Sequence, residues 1–126
     1  MASRLRPGTE QGGRHGAIIR ANLDGTKQEV LIKEFSKDRE ILYAHSLCVL
    51  PNLGKMYWIC NDSSGRGLGK AIFQASLDGK NMAKVIGGLR DPRHLVADEV
   101  SGKLYWNDER KLWMANLDGT EETDLP

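Results

Sequence analysis

Hydrophobic and polar positions alternate along most of this chain. In Ile18-Ile19-Arg20-Ala21-Asn22 the odd positions Ile19 and Ala21 share a face with Leu23. The same pattern returns in Ile72-Phe73-Gln74-Ala75-Ser76 and in Leu112-Trp113-Met114-Ala115-Asn116. Period-two alternation predicts strands, not helices. Each segment ends in Leu-Asp-Gly, at Leu23-Asp24-Gly25, Leu77-Asp78-Gly79 and Leu117-Asp118-Gly119. Glycine tolerates the positive φ of a tight turn, so each Asp-Gly pair predicts a reversal into another strand. A second unit occurs twice, as Gly54-Lys55-Met56-Tyr57-Trp58 and Gly102-Lys103-Leu104-Tyr105-Trp106. Upstream, Leu47-Cys48-Val49 aligns without a gap on Leu95-Val96-Ala97, and a Gly-containing turn between the segments predicts a hairpin.

The repeating unit is therefore a four-stranded antiparallel meander. The Leu-Asp-Gly motifs stand 54 residues apart (23 to 77) and then 40 apart (77 to 117). The shorter value fits a propeller blade of about 40 to 45 residues. The longer one requires insertions. Lys33 to His45 lengthens a link between blades by six residues, and Asn61 to Lys70 lengthens a second-to-third-strand loop by eight. Ten strands are predicted: Ala17 to Leu23 and Gln28 to Ile32 as half a blade, then two whole blades. The first is Leu47 to Leu50, Lys55 to Ile59, Ala71 to Leu77 and Met82 to Ile86. The second is His94 to Asp98, Lys103 to Trp106, Lys111 to Leu117 and Glu121 to Leu125. The fold class expected is all-β, with four-stranded antiparallel meander blades of an incomplete β-propeller.

Gly102-Lys103-Leu104-Tyr105-Trp106-Asn107-Asp108, followed by Trp113-Met114-Ala115-Asn116-Leu117-Asp118-Gly119-Thr120, resembles the YWTD repeat of lipoprotein-receptor-type propellers, the class B repeat. Leu89 to Asp98, with Pro92, is similar to the proline-containing first strand of that repeat. The resemblance runs from about Ala17 to the C-terminus. It implies six blades in a full ring, about 24 strands, of which this chain supplies well under half. Asn107 stands where the family usually has Thr, and the earlier unit reads Tyr57-Trp58-Ile59-Cys60, without the Asp at that place. Asp62 lies two residues further on. The resemblance gives Tyr57, Trp58, Tyr105, Trp106, Asp108, Asp24, Gly25, Asp78, Gly79, Asp118 and Gly119 structural roles, with Asp108 a hydrogen-bond acceptor. Trp58, Trp106 and Trp113 are expected to pack between blades.

The 126 residues carry 18 Lys plus Arg against 17 Asp plus Glu, a formal net charge of +1. That gives no whole-chain case for nucleic acid or an anionic membrane, and no apolar run approaches a membrane span of about 18 residues. Residues 1–16 hold Arg4, Arg6 and Arg14 but one large apolar side chain, Leu5. They read as a disordered leader before a partial propeller over 17–126, and they lack the apolar stretch of a secretory signal. The resemblance implies an extracellular or receptor-ectodomain setting. Two cysteines are too few for a disulfide framework. With a two-residue turn at Asn52-Leu53, Cys48 pairs with Tyr57 and Cys60 lies three residues beyond, about 10 Å at strand rise and past the roughly 7 Å Cα limit. Two thiols are expected.

Meander topology puts the tight turns at one end of the blades and both insertions at the other. Long loops on a rigid scaffold are where contacts concentrate. His45, Arg66, Arg90, Arg93, His94, Glu109 and Arg110 belong to that second end and form a candidate partner-binding face. Gly65-Arg66-Gly67-Leu68-Gly69-Lys70 fails the phosphate-loop pattern, with Ser64 in place of its first glycine and Ala71 in place of its hydroxyl. No metal, cofactor or catalytic group is expected, since His15, His45 and His94 have no second ligand at zinc spacing. The function expected is a non-enzymatic protein-binding or scaffolding module. Its partners would be a protein ligand or neighbouring blades, with self-association a further route. The alternative is a fragment of a six-bladed propeller enzyme, lactonase- or lyase-like. Such an enzyme needs acidic or amide ligands on its innermost strands, where this chain offers His94 and Asp98 among Leu47, Cys48, Val49, Leu95, Val96 and Ala97.

Overall fold

The computed structural model describes residues 3–9, 16–33, 44–61 and 69–125. Eleven strands form three sheets among these residues. The first sheet has the order β1 (Ser3–Thr9), β2 (Gly16–Asn22), β3 (Glu29–Lys33). The second is β4 (His45–Leu50), β5 (Lys55–Asn61), β6 (Lys70–Ser76), β7 (Ala83–Leu89). The third is β8 (Pro92–Asp98), β9 (Lys103–Asp108), β10 (Lys111–Asn116), β11 (Thr123–Leu125). Every pairing is between sequence neighbours and antiparallel, so the two later sheets are the expected meander blades. The sheets do not close into a ring.

The two whole blades match position by position. Cys48 pairs with Tyr57 and Val96 with Tyr105. Both innermost strands carry a register shift, and at its equivalent residues, Ser46 and His94, φ is +56°. A residue in this conformation lets the strand bulge and bend. The three Asp-Gly turns repeat as closely, with Gly25, Gly79 and Gly119 at φ +88°, +88° and +87°. Asp24 and Asp118 accept hydrogen bonds from both the hydroxyl and the backbone N–H of the threonine two residues on. Those bonds, the hydroxyl's foremost, hold both carboxyls below the ordinary aspartate range.

Three details depart from the sequence expectations. Against the disordered leader expected over 1–16, Ser3–Thr9 forms β1 along β2, from Ser3 opposite Asn22 to Thr9 opposite Gly16. The exposed edge of β2 offers unpaired backbone groups, which can recruit a strand lacking an apolar pattern of its own. Pro7 sits within it, as an edge strand permits. Second, β7 runs on to Leu89 through Gly87 and Gly88, beyond the expected end at Ile86. Two register shifts against β6 and φ +71° at Gly88 let the strand bend rather than stop. Third, the first hairpin turns on a 3-10 segment, Pro51–Leu53, closed by Gly54 at φ +64°, rather than on two residues at Asn52-Leu53. Its register is nonetheless the expected one.

The core lies between sheets. Neighbouring residues of a strand face opposite ways, and the Tyr-Trp pair uses this. Trp58 packs with Ile18, Ile32, Met56, Cys60 and Ala75, between the first sheet and the second. Tyr57, next in the chain, packs with Ile59, Ile72, Leu95, Leu104 and Trp106, between the second and the third. Trp58, Trp106 and Tyr57 are all fully buried. Tyr57 Oη donates to the Leu117 carbonyl of the next blade at 3.0 Å, and Trp58 stacks on Phe73 at 6.1 Å. The indole N–H groups of Trp58 and Trp106 meet no acceptor among the described residues, so ring area holds them in place. Glycine completes each interface. A Cβ on Gly79 would lie 2.5 Å from the Leu31 carbonyl oxygen, and one on Gly119 would lie 2.4 Å from that of Val85. Leu31 and Val85 are equivalent residues of β3 and β7, so these two Asp-Gly turns each abut the last strand of the sheet before.

Both cysteines are thiols. Cys60 is buried, and half-buried Cys48 donates to the Leu95 carbonyl at 2.9 Å. Burial pushes the Cys48 thiol up, so less thiolate forms at neutral pH. We expect an aromatic disulfide reagent to react slowly with the native chain and to release two equivalents of thiol once urea is added. Fewer than two in unreduced, denatured protein would contradict the structure.

Candidate functional site

The innermost strands β4 and β8 run beside one another, and their N-terminal ends open onto the end of the blades that carries the long loops. Two shallow depressions lie there. One, of about 350 Å³, is lined by His45, Ser46, Lys70, Asp91, Pro92, Arg93 and His94. The other, of about 450 Å³, is lined by Asp91, Arg93, His94, Asn107, Glu109 and Arg110. They share Asp91, Arg93 and His94, so they form one continuous surface.

Repeat geometry explains the convergence. His45 and Arg93 are equivalent positions, as are Ser46 and His94, on the bulges of adjacent innermost strands. Each bulge contributes both of its residues to the lining of this surface. Glu109 and Arg110 form the β9–β10 turn, both with positive φ, +50° and +70°. Asp108, just before them, ties that turn to the link between blades. Its carboxylate accepts from the backbone N–H of Asp91 at 2.7 Å and of Arg90 at 3.2 Å. A carboxylate that satisfies two backbone donors fixes the link that carries Arg90 and Asp91 and leads into Arg93 of β8.

The balance of the surface is cationic. Arg93 meets Asp91 at 3.2 Å, and Arg90 meets Glu109 at 3.5 Å, all with exposed side chains, so these pairs are weak and salt-screened. Burial, then the charges of Lys70 and Arg93, lower the pKa of His45. The charged form of His45 is thus disfavoured there, with Asp91 opposing in part.

Of the seven residues the sequence proposes for a partner face, the structure gathers His45, Arg93, His94, Glu109 and Arg110. Arg90 stands at the margin, lining a third depression of about 410 Å³ that meets the second at Glu109 and includes Gly87, Trp113 and Glu122. Arg66 and Asp62 lie outside the described residues, as do most of both insertions. Lys70, Ser46, Asp91 and Asn107 were not proposed. Ser46 was available from its alignment with His94. Lys70, which in the sequence ends both the second insertion and the failed phosphate loop, opens β6 opposite Asn61. Among the described residues, no three His, Cys, Asp or Glu side chains gather as metal ligands, and no helix is long and apolar enough to cross a membrane.

No family model matches the chain. A curated relative, a low-density lipoprotein receptor-related protein 1 from Pyricularia oryzae, is 30% identical over 101 residues. The match covers 72% of this chain and 33% of the relative, so the chain spans about a third of that protein's length. Among solved structures, a chain of the nidogen/laminin complex superposes with a TM-score of 0.71 at 24% identity, over 88% of this chain and 40% of that one. The β-propeller domain of the trilobed protease from Pyrococcus furiosus superposes with a TM-score of 0.61 at 16% identity, over 100% of this chain and 44% of that one. The fold is that of a β-propeller. With its Tyr-Trp and Leu-Asp-Gly repeats, the chain is similar to propellers of the lipoprotein-receptor class B, YWTD type.

Proposed function

We propose that the chain is a non-catalytic protein-binding element and that it binds through the loop-bearing end of its blades. The observation that carries this is the convergence of Lys70, Arg93, His94 and Arg110 on one open surface held by repeated bulges. The shape is broad and shallow, which suits a protein segment better than an enclosed small molecule. The excess of cationic groups favours an acidic segment, steered by complementary charge. The likeness to a chain of a nidogen/laminin complex and to a lipoprotein receptor-related protein supports a protein partner and an extracellular setting.

A titration followed by backbone amide shifts tests this. An acidic peptide, such as a ten-residue Glu/Asp-rich segment, should perturb Arg93, His94 and Arg110 and leave the Asp-Gly turns unmoved. A Lys-rich peptide should perturb neither. The double variant Arg93→Glu/Arg110→Glu should weaken binding at least tenfold, and 0.5 M salt should weaken it as well. Shifts confined to the turn end, or none at all, would overturn the reading.

A further inference from the structure

Three sheets make two buried interfaces. At both, an Asp-Gly turn of the following sheet presses on the outer strand of the leading one; at the second, a Tyr hydroxyl of the leading sheet also donates to a Leu carbonyl of the following one. Each part recurs once more at an end of the chain, on a face that no sheet of the described chain covers. On the third sheet, Tyr105 is the counterpart of Tyr57, and Leu125 that of Leu31 and Val85. On the first sheet, Leu23 is the counterpart of Leu117, and Gly25 that of Gly79 and Gly119. A Cβ on Gly25 would meet nothing within 4 Å, whereas its two counterparts are pressed against a preceding strand.

The apolar surface agrees with this. Seven large hydrophobic residues are exposed among those described, and four of them lie on these two faces. Val96 at 54% and Leu112 at 44% flank half-buried Tyr105 and Met114 on the third sheet. Leu23 at 63% and Val30 at 43% lie on the first. The faces are complementary rather than alike, so one cannot cover itself.

We propose that a second copy of this chain docks head to tail, its first sheet on the third sheet of its neighbour. Tyr105 Oη then donates to the partner copy's Leu23 carbonyl, as Tyr57 does to Leu117 within the chain. The Gly25 turn of one copy seats over Leu125 of the other, as Gly79 seats over Leu31. The contact is heterologous, with two different surfaces joined. It continues the spacing of blades across the junction.

Two single variants test it on the 126-residue chain. Val96→Lys blocks the third-sheet face, and Leu23→Lys blocks the first-sheet face. Leu112→Lys and Val30→Lys serve as second variants if either fails to fold by circular dichroism. By light scattering at tens of micromolar, the unaltered chain should show at least twice its 14.0 kDa. Each variant alone should show one copy. An equimolar mixture of the two should show a 1:1 pair, because each retains the face that the other lacks. A monomeric unaltered chain would overturn the proposal, leaving another polypeptide to cover these faces. So would association that survives both variants, which would assign it to strand edges, and so would a mixture that stays monomeric.

Discussion

Replacing Trp106 with alanine is expected to destabilise the chain by about 3 to 5 kcal/mol. The ring is fully buried between the second and third sheets, against Tyr57, Ile59, Leu95 and Leu104. Its removal opens a cavity at the centre of an interface whose walls are β-sheet and cannot readily close over it. A domain of this size is stable by only about 5 to 15 kcal/mol, so the third sheet would come loose well before the second. Val100→Ala is the reference. Val100 is 97% exposed, and its loss should stay within about 0.5 kcal/mol. Urea unfolding of the two variants decides the matter, and similar midpoints would remove Trp106 from the core.

The second large effect concerns two glycines alike in sequence and in φ. Gly119→Ala should cost about 3 kcal/mol or more. Strain at positive φ accounts for about 1 to 2 kcal/mol, and the rest comes from a Cβ placed 2.4 Å from the Val85 carbonyl oxygen, which forces the blades apart. Gly25→Ala carries the same strain, since φ is +88°, but its Cβ enters open space. It should cost only the strain. Both belong in a Val96→Lys background, where docking of a second copy plays no part. Equal shifts in the urea midpoint would mean that the Asp-Gly turns do not clamp one blade to the next.

Much of this was legible because the chain repeats. A turn centred on Asn52-Leu53 sets Cys48 opposite Tyr57, and that register holds although the turn is a 3-10 segment. Two-residue alternation put Tyr57 and Trp58 on opposite faces. What the sequence did not disclose is what a repeat cannot carry. Ser3–Thr9 has no counterpart in sequence and no apolar pattern, and it becomes a strand along the open edge of β2. Glycine reads as a stop, so Gly87 and Gly88 hid the last residues of β7. The candidate site was half visible. His45, Arg93 and His94 could be assigned to the loop end by topology. The bulges at Ser46 and His94 that carry them leave no mark in composition, and Lys70 reaches the surface only through the pairing of β5 with β6.

The adjacency of Tyr57 and Trp58 also constrains how such a chain can diverge. One residue gained or lost within β5, upstream of the pair, would exchange their faces and strip both interfaces at once. The same length change at the loop-bearing end disturbs no register, and there the two insertions of six and eight residues have accumulated. Length differences between the repeats of this chain thus fall at the loop-bearing end of the blades. The strands that stack the blades keep their count, and new recognition surfaces can arise without rebuilding the scaffold beneath them.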